Sequence, residues 1–159
     1  MKRDMIRISS RLVEGAVAAD LHCSGKSELL ARLSAIAAEN YLVDAGAVHE
    51  GLVERERLGP TGFGGGTAIP HCKVTGIDVP VAVFVRLAKP VEYNAVDDEP
   101  VDLVCALVSP AQDGASHLRA LAEISRLFRD EKFRSQLRGA ADADAMFALL
   151  MLSEERDAA

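Results

Sequence analysis

Four histidines occur in this chain of 159 residues: His22, His49, His71 and His117. Two of them stand where an imidazole could do chemistry. His71 follows Ile69-Pro70 and a stretch, Gly62-Phe63-Gly64-Gly65-Gly66, that is almost all glycine. Proline fixes its own φ and turns the residue before it away from helix. Glycines let a backbone, its own or a partner's, come close. Together they present a nucleophile at a surface on a stiff base. His117 opens a helical pattern and shares its apolar face with Leu121, Ile124 and Phe128. The positive end of a helix disfavours a charged imidazole, so a neutral His117 could donate a hydrogen bond. Arg55 lies on one helical stripe with Val48 and Leu52, where a solvated arginine is not expected. Each has a plain reading taken alone: a loop histidine, a buried first-turn histidine, an arginine with packed stem and wet head. As a set they suit a phosphoryl group, which one imidazole attacks while the other two groups neutralise its equatorial oxygens.

Competing motifs fail on spacing. Gly25-Lys26-Ser27 would need a glycine five residues before Gly25 to be a nucleotide-binding P-loop, and Asp20 is there. Gly62-x-Gly64-x-x-Thr67 lacks the third glycine of a dinucleotide fingerprint, and Pro70 rather than a helix follows it. The pairs His22-Cys23 and His71-Cys72 suggest metal ligands, but neighbours on an extended chain point to opposite faces, so each pair offers one ligand at most. No metal and no cofactor are expected.

The elements that must carry these side chains can be read coarsely. After a lead-in over residues 1–15, Ala16–Leu21 is a short strand. Ser24 is an N-cap candidate for a helix that reaches about Tyr41, with Leu29, Leu33, Ile36 and Ala37 at helical spacing. Asp44 can cap a second helix, which ends near Gly59 with Pro60 beyond. The glycine stretch is expected to be a loop. Val81–Leu87 and Val101–Val108 are apolar, β-branched strands, the second central, with turn chemistry between Asn94 and Glu99. Ser109–Ala115 is a second loop before the helix of His117. Asp130–Gly139 and Asp142–Leu152 are two further short helices, and 153–159 is a polar tail expected to fray. There is no repeat or linker. The expected fold is α/β, one domain with a mixed sheet flanked by helices on both faces.

Bulk composition narrows the function classes. Apolar residues make up 49% and charged residues 26%, a globular balance. A net charge of −6 argues against nucleic acid and against an anionic membrane surface. No apolar run reaches the roughly 20 residues of a membrane span, and Met1–Arg7 has no signal-like segment behind it. Three cysteines, Cys23, Cys72 and Cys105, fit reduced thiols in a cytoplasm better than a disulfide frame.

The residues resemble a known family at this point. Glu54-Arg55-Glu56-Arg57-Leu58-Gly59-Pro60-Thr61-Gly62-Phe63-Gly64, followed by Thr67-Ala68-Ile69-Pro70-His71, is similar to the enzyme IIA proteins of the fructose/mannitol/nitrogen class of the bacterial phosphoenolpyruvate-dependent phosphotransferase system. The likeness continues through Val96–Val101 and from His117 to Leu127. Pro60 stands where serine is common, Asp98 where glycine is common in the turn, and Cys72 where a small residue is usual. Thr61 is left as the candidate for any hydroxyl role.

The resemblance implies that His71 is phosphorylated, with Arg55 and His117 as its active-site neighbours. It implies a phosphotransferase component that carries a phosphohistidine half-reaction, with a small histidine phosphocarrier protein as donor. The next partner would be a IIB domain or a regulated target protein. The Ile124-Ser125-Arg126-Leu127 helix and the expectation of no attached IIB or membrane part favour a nitrogen-branch regulator over a fructose-type transport component. A protein-binding module without phosphotransfer is the reading from another class, and it would not need to keep all three site residues. Docking is expected on a surface around His71, with Phe63 as an apolar contact.

Overall fold

The computed structural model describes residues 12–158, and side chains as far as Ser153. After a single 3₁₀ turn, Glu14–Ala16, the elements are β1 (Val17–Leu21), α1 (Lys26–Asn40), α2 (Ala45–Leu58), β2 (Gly62–Gly64), β3 (Thr67–Ala68), β4 (His71–Val74), β5 (Val81–Val91), β6 (Val101–Pro110), α3 (Gly114–Arg129), α4 (Glu131–Gly139) and α5 (Ala143–Ala158). The six strands form one mixed sheet in the order β1-β5-β6-β3-β2, with β4 also paired to β6. β6 is central, which suits its apolar run from Leu103 to Val108. It runs antiparallel to β5 and parallel to both β3 and β4. Every residue from Val81 to Leu87 and from Leu103 to Pro110 is buried, so side chains on both faces of the sheet are covered. That burial without alternation is the mark of a sheet between two helical layers.

Asparate caps set the helix starts. The Asp44 carboxylate accepts from the Ala47 N–H, Asp113 from Ser116, Asp130 from Phe133 and Asp142 from Ala145. α1 differs from expectation. Its N-cap is Gly25, and the Glu28 carboxylate reaches back to accept from both the N–H and the hydroxyl of Ser24. The glycine stretch is a tight hairpin rather than a loop. β2 and β3 pair antiparallel through Gly65 and Gly66, whose φ values of 65° and 79° are both in the left-handed region a two-residue hairpin turn requires. The expected loop at Ser109 is also displaced, because β6 runs on through Pro110 to pair with β4. α5 does not stop at Leu152. It continues to Ala158, and the buried Ser153 hydroxyl donates to the Leu150 carbonyl.

One glycine positions the site. Gly51 lies in the middle of α2, where glycine costs about 1 kcal/mol against alanine. A Cβ there would sit 2.8 Å from the Cβ of Cys72 on β4. The absent side chain lets α2 settle directly on β4, and so brings Arg55, one turn further along, to the first residue of that strand.

Candidate active site

His71 is that first residue, facing Leu107 across the β4–β6 ladder. Its ring is half-buried. Nδ1 lies 2.8 Å from the carbonyl of Ile69, which can only accept, so the proton is on Nδ1. Nε2 then carries the lone pair, and the Nε–H of Arg55 donates to it at 3.2 Å. Pro70 makes this possible. It holds the chain extended between Ile69 and His71, and its carbonyl accepts from the Leu107 N–H. Arg55 is fixed in turn by an Nη1 donation to the Gly59 carbonyl at 2.8 Å.

His117 reaches the same place from α3. Its ring centroid is 5.3 Å from that of His71, at an interplanar angle of 52°. Only 6% of His117 is exposed, and its Nδ1 meets the hydroxyl of Ser109 at 2.7 Å. Burial, then the charges of His71 and Lys73, lower its pKa to about 4. The pKa of His71 is lowered as well, first by burial and against the Ile69 hydrogen bond, which raises it. Both imidazoles are therefore neutral at pH 7, and His71 keeps its lone pair on Nε2. The three sequence candidates, His71, Arg55 and His117, line one open cleft of about 420 Å³.

Composition and spacing missed several groups that the fold adds. Lys73 lies two residues along β4 from His71, on the same side of the strand, and lines the cleft as another cation. Glu56 is an acidic residue next to Arg55 on α2, yet its side chain is only 5% exposed. Its carboxylate accepts from Lys26 Nζ at 2.8 Å, from the Tyr93 hydroxyl at 2.9 Å and from the Thr61 N–H at 3.1 Å, and the Thr61 hydroxyl also donates to it. Lys26 sits over the Tyr93 ring, 4.4 Å from its centroid. The Thr61 carbonyl accepts from the Ile69 N–H, so this cluster anchors the peptide that orients His71. The Thr61 hydroxyl is thus occupied holding the loop. A lysine, a glutamate and a tyrosine separated by dozens of residues leave no local signal.

Phe63 is half-buried on β2 and packs on the core. Leu58, a large exposed apolar side chain, lines the cleft; Leu118, which follows His117 in the chain, is exposed as well. Among the described residues no three His, Cys, Asp or Glu side chains gather as a metal site, and no helix is long and apolar enough to cross a membrane.

A sheet with these partners and paired imidazoles at the head of β4 defines a phosphotransferase-type IIA domain, and comparison with known proteins agrees. The family described as "Phosphoenolpyruvate-dependent sugar phosphotransferase system, EIIA 2" matches residues 12–152. The chain belongs to this family. It is similar to a nitrogen regulatory protein of Bradyrhizobium diazoefficiens, 39% identical over 145 residues that cover 91% of this chain and 95% of that one. Among solved structures it resembles nitrogen regulatory protein IIA-Ntr from Neisseria meningitidis, with TM-score 0.84, 29% identity and coverage of 90% and 98%. The fold also matches Escherichia coli mannitol IIA in its complex with phosphorylated mannitol IIB, with TM-score 0.70, 18% identity and coverage of 87% and 95%.

Proposed function

We propose that His71 Nε2 accepts a phosphoryl group from the phosphohistidine of a small carrier protein, and that the chain works as a nitrogen-branch regulator read out by its phosphorylation state. The observation that carries this reading is the His71 ring itself, with Nδ1–H spent on Ile69 and Nε2 left as the attacking atom beside Arg55. As the Nε2–P bond forms, the P–N bond on the donor breaks and the leaving imidazole keeps the electron pair. The Arg55 guanidinium leaves the lone pair of Nε2 and turns to the phosphoryl oxygens, where its planar fork matches their geometry. His117, neutral, adds a donor from the other side. The exposed Leu58 lines the opening, which suits a transient contact with a second protein surface.

Similarity to nitrogen regulatory proteins favours regulation. The neighbour in complex with a phosphorylated IIB supports the alternative that the group is exchanged with a IIB partner. A cytoplasmic setting fits three cysteines that are all free. The reading is tested by incubating the chain with phosphoenolpyruvate, the first enzyme of the system and the carrier, then weighing it intact. One acid-labile phosphoryl group is expected on the natural chain and none on His71→Ala. Uptake by His71→Ala at the natural level would refute it. Adding a IIB domain to the labelled protein separates the two roles: rapid loss of the group to IIB means transport, and retention means regulation.

A further inference from the structure

Ser109 has no role in the account so far, yet its hydroxyl holds the Nδ1 edge of His117. It is fully buried on β6, opposite Lys73 in the ladder that also carries His71. Its hydroxyl lies 2.7 Å from His117 Nδ1, and among the described residues that is its only side-chain hydrogen bond. Two arrangements satisfy that distance. If Nδ1 carried the proton, it would donate to the serine oxygen. The buried O–H of Ser109 would then have no acceptor, and His117 would turn a lone pair toward a site built to receive anionic oxygens. If the hydroxyl donates to Nδ1, its proton is satisfied and the single N–H of the neutral ring is on Nε2, the nitrogen not held by Ser109. An unsatisfied buried hydroxyl costs more than a satisfied one gains, so the second arrangement wins.

We propose that Ser109 is a positioning residue which fixes His117 as the Nε2–H tautomer, so that a neutral imidazole enters the phosphoryl site as a donor. The β4–β6 ladder then orients both rings, His71 as a member of the strand and His117 through the Ser109 hydroxyl. The two imidazoles hold opposite tautomers as a result. His71 is protonated on Nδ1 and attacks through Nε2; His117 accepts on Nδ1 and donates through Nε2. This rests on His71 taking a phosphoryl group, as proposed above, but its primary test does not.

Long-range nitrogen–proton correlation spectra of the full chain at neutral pH report each imidazole's tautomer without any phosphorylation. The expected spectrum shows His117 with a protonated Nε2 and an unprotonated Nδ1, opposite to His71. In Ser109→Ala the His117 signals should move toward a tautomer mixture, and transfer from the phosphorylated carrier should slow about tenfold. Ser109→Thr, which keeps the hydroxyl, should restore the tautomer and most of the rate. An Nδ1-protonated His117 in the natural chain would overturn the proposal whatever the variants do. So would an unchanged tautomer and rate in Ser109→Ala. Absence of phosphorylation in the natural chain with His117 in the expected tautomer would instead refute the function of the site, and with it the purpose given to Ser109.

Discussion

The dipeptide His-Cys occurs twice, and the two copies differ in everything except their letters. His22-Cys23 follows β1, with His22 exposed and Cys23 half-buried beside a small cleft that also includes Ser24, Glu28 and Lys89. Among the described residues, the ring of His22 has no hydrogen-bond partner. His71-Cys72 begins β4. There the imidazole is held from both nitrogens, by Ile69 and Arg55, and the thiol is buried under α2 against Gly51. Burial pushes the Cys72 thiol up to about 12, so it stays protonated and serves as packing. On the function proposed above, a histidine's competence is made by what ties up its second nitrogen and by the cation beside it. Neither can be seen in the dipeptide.

The comparison breaks most sharply at the two donors beside His71. Arg55→Ala and His117→Ala should fold and yet transfer on the order of 100-fold more slowly, the usual cost of losing a preorganised donor at a developing charge. Arg55→Lys should recover only part of that, because lysine lacks the fork. His22→Ala should leave the rate unchanged. Rapid-quench transfer from the phosphorylated carrier measures all four. Equal rates in Arg55→Ala and His22→Ala would mean that the two histidine sites do not differ in the way described.

The buried pair also carries a pH signature. An unfolded histidine titrates near 6.5, whereas His117 titrates near 4 in the folded chain, and His71 is shifted the same way. As pH falls through about 6.5 the unfolded chain binds protons that the folded chain refuses, so stability falls from there to about pH 4. A loss on the order of 2 kcal/mol is expected from His117, and denaturant unfolding at pH 7 and pH 4.5 reads it. His117→Gln should flatten that part of the curve. A natural chain equally stable at both pH values would show that the imidazoles are not held neutral.

Smaller effects follow from packing. Gly51→Ala puts a methyl into Cys72 and should cost about 1–3 kcal/mol in thermal or denaturant stability, despite alanine's better helix propensity. It should also slow transfer, because it moves Arg55 away from His71. Cys72→Ser buries a hydroxyl beside the Val48 carbonyl, which lies 3.8 Å from the present sulfur, too far for a good O–H···O bond, and should cost about 1–2 kcal/mol. Cys23→Ser, half-exposed, should change stability by less than about 0.5 kcal/mol. A reversal of that order would mean that the two cysteines are packed otherwise than described.

Much of this architecture was legible because local chemistry and burial agree. Asp44 before Ala45 and the strand at Val101–Val108, apolar from Leu103 on, each read correctly from neighbours alone. Arg55 was conspicuous because its spacing from Val48 and Leu52 set a cation on an apolar stripe. His71 was marked by the rigid Ile69-Pro70 before it. What could not be read is what other strands and helices bring. No strand is legible at His71–Val74, because a four-residue strand is defined by its pairing with β6, not by its composition. Ser24 lost the cap to Gly25 because Glu28 reached back to it. The clamp of Lys26, Glu56, Thr61 and Tyr93 is assembled across the fold, and Ser109 gains its meaning only when α3 lays His117 over it.

The central claim is that His71 attacks through Nε2 because Nδ1 is already committed to Ile69. Phosphorus–nitrogen and proton–nitrogen correlation spectra of the freshly phosphorylated, nitrogen-15-labelled chain test it most directly. The result predicted here is a single phosphoramidate with phosphorus coupled to His71 Nε2, and Nδ1 still protonated toward the Ile69 carbonyl. Phosphorus on His71 Nδ1, or on any of His22, His49 and His117, would contradict the account.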